Sequence, residues 1–281
     1  WERSRRGLWL IAIGIGKKVI VADFLLAPFV DQVFQDYAPA SSSFHWIALY
    51  SFAFQIYFDF SGYTDMARGI ALLLGFELPM NFLEPYLSRN PSEFWRRWHK
   101  TLSRWLADYV YIPLGGNRHG RSRTYANLAL TMLLGGLWHG ADWTFVIWGG
   151  MHGLLLIIHR LIRPGGVERA TPLSWRDAPK IFFFFNFVCL LWVFFRAPDL
   201  DFALRYFERL FTIADPVGWP HIQICIVGLC IALHFAERSF RVHALAIRNR
   251  LGQSWWGGLA EGGVLGALIG LAIMVGGVGG D

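Results

Sequence analysis

Leu133-Leu134-Gly135-Gly136-Leu137-Trp138-His139-Gly140 sets an imidazole at the end of one apolar run, and a second apolar run begins at Trp143. An ionisable group at membrane depth is expensive to keep, so a histidine there points to a working site. Forty positions upstream, His99 lies within Glu93-Phe94-Trp95-Arg96-Arg97-Trp98-His99-Lys100-Thr101-Leu102-Ser103-Arg104-Trp105. These two histidines organise the reading of the chain.

Composition sets the class. Hydrophobic residues make up 54% of the chain and charged residues 16%, against roughly 25% charged in a typical soluble domain. The 14 tryptophans fit a membrane chain, because indole rings favour the headgroup interface, where they are apolar and hydrogen-bonded at once. The net charge of +6 comes from short basic clusters between apolar segments. That pattern suits anionic lipid and topology and argues against a nucleic-acid partner. Cys189, Cys225 and Cys230 fall inside apolar runs without metal-type spacing and read as packing residues.

Candidate membrane helices are Leu8 to Val30 (interrupted by Lys17 and Lys18), Phe44 to Phe60, Tyr125 to Trp138, Trp143 to Ile158, Ile181 to Phe195, Ile222 to Phe235 and Gly262 to Val278. The expected fold is all-α, a polytopic membrane helix bundle with re-entrant and interfacial helices. It is read as a single membrane domain over 1–281, part of a longer chain truncated at both ends. A spanning helix needs about 20 residues. Tyr125 to Trp138 and Trp143 to Ile158 would reach only about 21 to 24 Å at 1.5 Å per residue. Their link, His139-Gly140-Ala141-Asp142, is therefore expected within the membrane thickness, lining a recess.

Met66 to Ile112 is more polar and is divided by Pro79, Pro85 and Pro91, with Pro113 just beyond it, which suits short amphipathic or re-entrant helices. Ser92 is the expected N-cap of a helix over Glu93 to Leu106, with His99 on it. Leu200 to Phe211 reads as a surface amphipathic helix. Basic clusters at Arg118, Arg121 and Arg123, at His159, Arg160 and Arg163, and at Arg238, Arg241, Arg248 and Arg250 assign their loops to the cytoplasm, with Asp199, Asp201 and Asp215 outside. The His139 turn then faces away from the cytoplasm, and the His99 segment sits nearer to it.

Histidine accepts and returns protons near neutral pH, and a hydroxyl attacking an acyl carbonyl must lose one, so His139 suits a general base. The structural alternative is a buried histidine bonded only to backbone. For His99 an interfacial basic face explains the residue as well as catalysis does. Metal binding is not expected: His139 and His152 lack ligand spacing and no HExxH occurs. Gly115-Gly116 and Gly135-Gly136 read as turns or close-packing sites. Asp59, Asp65 and Arg68 are either a helix-end ion-pair cluster, with Asp65 and Arg68 at i, i+3, or a polar wall of the recess.

Gln55-Ile56-Tyr57-Phe58-Asp59-Phe60-Ser61-Gly62-Tyr63-Thr64-Asp65-Met66-Ala67, Phe94-Trp95-Arg96-Arg97-Trp98-His99, Tyr111-Ile112-Pro113-Leu114-Gly115-Gly116-Asn117-Arg118 and Gly136-Leu137-Trp138-His139-Gly140 closely resemble the bacterial branch of the membrane-bound O-acyltransferase family, in particular its alginate O-acetyltransferases. The resemblance implies a multi-helix membrane fold with a tunnel, entered by an acyl donor from the cytoplasm and by the acceptor from the other face. It places the family's histidine at His139 and a second polar position at His99. The implied activity is acetyl transfer from acetyl-CoA, with no cofactor, towards hydroxyls of an extracytoplasmic polysaccharide such as alginate.

Implied partners are the lipid bilayer, the donor and extracytoplasmic polysaccharide acetylation proteins, with no nucleic acid. The implied location is the bacterial inner membrane, multi-pass. Arg96, Arg97 and Arg104 are candidates for the donor's anionic part, equally explained by lipid phosphates. Trp138, Asp142 and His152 are expected to line the recess. Alternatives are D-alanyl transfer to teichoic acid and a transporter or channel subunit.

Overall fold

The computed structural model describes residues 2–35, 41–163, 172–212 and 219–251, with side chains to 237 in the last of these, and scattered positions between 263 and 275. All regular structure among them is helical. The Gly262 to Val278 span lies mostly outside the described residues, as do Asp215 and the side chains of Arg238, Arg241, Arg248 and Arg250. The chain divides into two compact units, Trp1–Met80 with Ala214–Asp281, and Asn81–Ile213.

In the first unit, α1 (Glu2–Ile15) runs into a π-helical stretch (Gly16–Leu26) and then α2 (Ala27–Phe34), all packed on α3 (Ser42–Leu73). The sequence reading ended α3 at Phe60. The helix continues because its charges are paired. Lys17 Nζ lies 3.0 Å from Asp65 and 2.6 Å from Glu237 of α10 (His221–Leu251), Arg68 is 3.3 Å from Asp65, and Lys18 pairs with Asp59. The Asp65–Arg68 pair is therefore present, but inside a helix and not at its end. Lys17 and Lys18 hold the π-helical stretch to α3 instead of merely interrupting an apolar run.

The second unit carries both histidines. Pro91–Arg97 forms α4, capped by Asn90, whose side chain accepts from the Glu93 N–H at 2.8 Å. Ser92 is not the cap; its hydroxyl lies 3.3 Å from His159 Nδ1. Nor does one helix run from Glu93 to Leu106. It breaks at Trp98-His99 and restarts as α5 (Lys100–Leu106), because the 81–83 segment takes up backbone groups at the break. Leu83 N–H donates to Arg97 O at 2.9 Å, and Lys100 N–H donates to Asn81 O at 3.1 Å.

The hairpin of α6 (Gly120–His139) and α7 (Trp143–Ile162) has 20 residues in each arm, about 30 Å at 1.5 Å per residue. Each arm is longer than apolar content suggested, since the helices run on through Arg121 to Thr124 and through His159 to Ile162. The expectation that both are too short to span is corrected for α7, which is long and apolar enough to cross a membrane. The arms meet where a Cβ on Gly136 would lie 2.3 Å from Phe145 O and 3.1 Å from Gly149 Cα, so only glycine permits this approach. Before the hairpin, Gly115 and Gly116 turn at φ +103° and +56°, and Asn127 Nδ2 donates to the carbonyls of Leu114 and Gly116.

α8 (Ala178–Arg196) packs on α7, and α9 (Leu200–Phe211) packs on α8, burying Phe202, Ala203, Tyr206 and Leu210 as the amphipathic pattern predicts. Trp143–Ile162 and Trp175–Arg196 are long and apolar enough to cross a membrane. Of the cysteines, Cys189 and Cys230 are buried and Cys225 is exposed.

Candidate functional site

His139 is the last residue of α6. α7 starts afresh four residues later, at Trp143, because Asp142, otherwise exposed, accepts the Thr144 N–H at 2.9 Å. The half-buried imidazole is enclosed by rings. Trp138 lies 5.0 Å away by ring centroids, Phe195 at 5.0 Å, Trp148 at 5.3 Å and nearly perpendicular (89°), and Phe145 at 6.3 Å. Edge-to-face contacts at these spacings are the favoured arrangement for aromatic rings. Among the described residues, aromatic edges and not a carboxylate orient His139.

His99 occupies the break between α4 and α5 with φ +39° and ψ +57°, a left-handed conformation rare for a residue with a side chain. Glu84, in the segment lying along this break, shares it at φ +40°. Such strain costs of order 1–3 kcal/mol and persists only where surrounding contacts impose it, which is often at working sites. Phe82 stacks on the His99 ring at 6.4 Å. Burial, and then the neighbouring His139, pushes the His99 imidazole down to about 4. The two histidines are thus near enough to influence each other, and His99 is neutral at physiological pH.

His152 is fully buried. It stacks face to face on Phe94 (5.8 Å, 7°) and meets Trp95 (5.1 Å) and Trp148 (4.9 Å) edge to face. Neither of its ring nitrogens has a hydrogen-bond partner among the described residues, nor do Trp95 Nε1 and Trp148 Nε1. A buried polar group left unpaired costs about 1–3 kcal/mol.

The arginines divide by environment. Arg97 lies 2.6 Å from buried Glu93, which also takes Arg89 at 2.9 Å. Burial works to raise the Glu93 carboxyl, but hydrogen bonds from Arg89 and the charges of Arg97 and Arg89 outweigh it and hold the carboxyl below its usual range. Arg96 is half-buried on α4. Arg104 is 85% exposed along its side chain and sits 3.5 Å from Asp108.

The structure therefore gathers His139, Trp138, His99 and, through Trp148, His152. It sets Arg97 in a structural ion cluster and Arg104 towards the outside. Sequence reasoning passed over Trp148, Phe195 and Glu93. Phe145, Trp148 and His152 at i, i+3, i+7 on one face of α7 marked the first, and Arg89 and Arg97 at i±4 marked the last.

A framework that is helical throughout the described residues, two helices long and apolar enough to cross a membrane and histidines held among aromatic rings define a helical protein with a histidine-centred site. More particularly, the chain belongs to the membrane-bound O-acyltransferase family, whose model matches residues 2–198. It is 48% identical over 203 residues to "Probable alginate O-acetylase AlgI" of Azotobacter vinelandii, a match covering 72% of this chain and 39% of that protein. It is 46% identical over 222 residues to the peptidoglycan O-acetyltransferase of Helicobacter pylori, covering 78% and 40%. The teichoic acid D-alanyltransferase of Streptococcus thermophilus matches at 33% over 165 residues, covering 52% and 40%. The chain spans about two fifths of the length of these relatives.

Proposed function

We propose that this chain carries the catalytic site of a multi-pass O-acyltransferase of the bacterial inner membrane, moving acetyl from acetyl-CoA towards hydroxyls of an extracytoplasmic polysaccharide such as alginate. The observation that carries this reading is His139 at the tip of the α6–α7 hairpin, set edge-to-face among Trp138, Trp148 and Phe195. The acceptor oxygen attacks the thioester carbonyl carbon while His139 takes the hydroxyl proton. The C–S bond then breaks, and the thiolate recovers that proton from the imidazolium, leaving an acetyl ester and free CoA.

His99, neutral and close by, positions the thioester. Arg97 is engaged by Glu93; Arg96 and Arg104 are assigned to the anionic part of the donor, while Trp138 and Asp142 border the entrance. Extracytoplasmic acetylation proteins complete transfer to the polymer. Acetyl is favoured over D-alanyl because the relatives named for acetylation match more of the chain at higher identity.

The test is polymer acetylation in cells lacking the native enzyme, complemented with the full-length protein, unaltered or carrying His139→Ala, at equal membrane levels. Loss of acetyl ester with His139→Ala alone is expected. Equal acetylation by both forms removes His139 from the chemistry.

A further inference from the structure

Proton transfer at His139 explains neither why a second imidazole is buried in α7 nor why it keeps both nitrogens unpaired. An apolar residue there would avoid that cost, so packing alone gives no reason for histidine. The geometry supplies one. Trp148 stands edge-on to both imidazoles, at 5.3 Å from His139 and 4.9 Å from His152. On its other side His152 lies flat against Phe94 and edge-on to Trp95, both on α4, which ends at the break that carries His99. His152 thus packs between the helix leading to His99 and the wall of His139, beside the direct Trp95–Trp148 contact at 5.9 Å. Displacing a reacting group by about 1 Å is enough to cost a hundredfold in rate.

We propose that His152 is a positioning residue for acyl transfer: it fixes the Trp148 indole edge-on to His139 and ties it to the α4 segment leading to His99. Its nitrogens and the two indole N–H groups, all without a hydrogen-bond partner among the described residues, sit together on three rings whose centroids lie 4.9 to 5.9 Å apart. Catalytic hydrogen bonds are commonly loose in the free enzyme and tighten around substrate. A ring without nitrogen fills the same space but cannot join that tightening.

This rests on the acyltransferase reading, so the experiment keeps the two apart. The full-length protein is purified in nanodiscs as the unaltered form, His139→Ala, His152→Phe and His152→Gln. Acetyl transfer from acetyl-CoA is measured across pH 5–9 alongside thermal unfolding. The expected result is at least a tenfold loss of kcat in His152→Phe with KM within about twofold and no fall in Tm. His152→Gln, which keeps a donor and an acceptor, should regain at least a third of the unaltered kcat. Unaltered kcat in His152→Phe overturns the proposal, as do parallel losses of kcat and Tm in both His152 variants, which mark a packing residue. If the unaltered protein transfers acetyl and His139→Ala transfers it equally, the reading itself fails and the proposal falls with it.

Discussion

At His99 the backbone and the side chain make separate demands. A left-handed φ favours asparagine or glycine over a ring, while the stack on Phe82 and the proximity of His139 need the imidazole. His99→Asn should therefore fold well and lose rate, with kcat down at least tenfold in acetyl-transfer assays. The sign of the pH effect follows from the depressed value. Because His99 stays neutral until the pH falls towards 4, it contributes no inflection between pH 5 and 8, and the acid limb of the rate profile in that range should be the same for His99→Asn and the unaltered enzyme. A shift of that limb would mean that His99 titrates in the working range.

Neither strain nor break was legible at this residue. Trp98-His99 contains no glycine or proline, and the break comes from hydrogen bonds to Asn81 and Leu83, distant in sequence. His139 was legible, because a polar residue ending an apolar run is conspicuous. His152 was visible as a residue but not as a contact, since its stack on Phe94 joins segments 58 positions apart.

At the scale of elements, the α6–α7 hairpin governs the position of His139. Gly136→Ala would drive a methyl to 2.3 Å from Phe145 O, whereas at Gly135 it would meet only the end of the Leu106 side chain at 3.1 Å. Overpacking of rigid backbone costs about 1–3 kcal/mol or more. Gly136→Ala is therefore expected to lower Tm and transfer activity together, and Gly135→Ala to do so far less, measured on the same purified protein. Equal effects would move the hinge of the hairpin elsewhere. The sequence displayed two apolar runs with glycines within them, but it placed the helix ends at the first charges. Backbone hydrogen bonding continues past a charge wherever its side chain reaches a polar layer or a partner, which hydropathy does not register. The α9 boundaries were read correctly because an amphipathic repeat and the Asp199 cap mark them without help from tertiary contacts.

Across the whole molecule, the two units are stabilised differently. Residues 81–213 contain the aromatic enclosure, while the other unit adds to its apolar core an ion-pair network that links its helices. Removing one partner of a largely buried ion pair is destabilising, because the charge left behind loses part of its compensation. Lys17→Met leaves Asp65 and Glu237 without their shared cation and is expected to reduce the folded yield in membranes several-fold. Lys17→Arg should restore most of it, both read by fluorescence-detected size exclusion. Unchanged yield in Lys17→Met would show those charges to be solvated. This network lay in plain view as Lys17, Asp65 and Glu237, yet nothing local connects positions so far apart.

The hairpin also bears on biogenesis. On the multi-pass reading its tip must travel through hydrocarbon before it reaches the far side. The cost is moderated within the hairpin itself: Trp138, Phe145 and Trp148 wrap His139, and Asp142 satisfies the Thr144 N–H. With Gly136 and Gly149 already in contact, the two arms suit insertion as one preassembled piece. The site residue would then arrive at its final depth with most of its ring shell in place before α8 delivers Phe195 to close it.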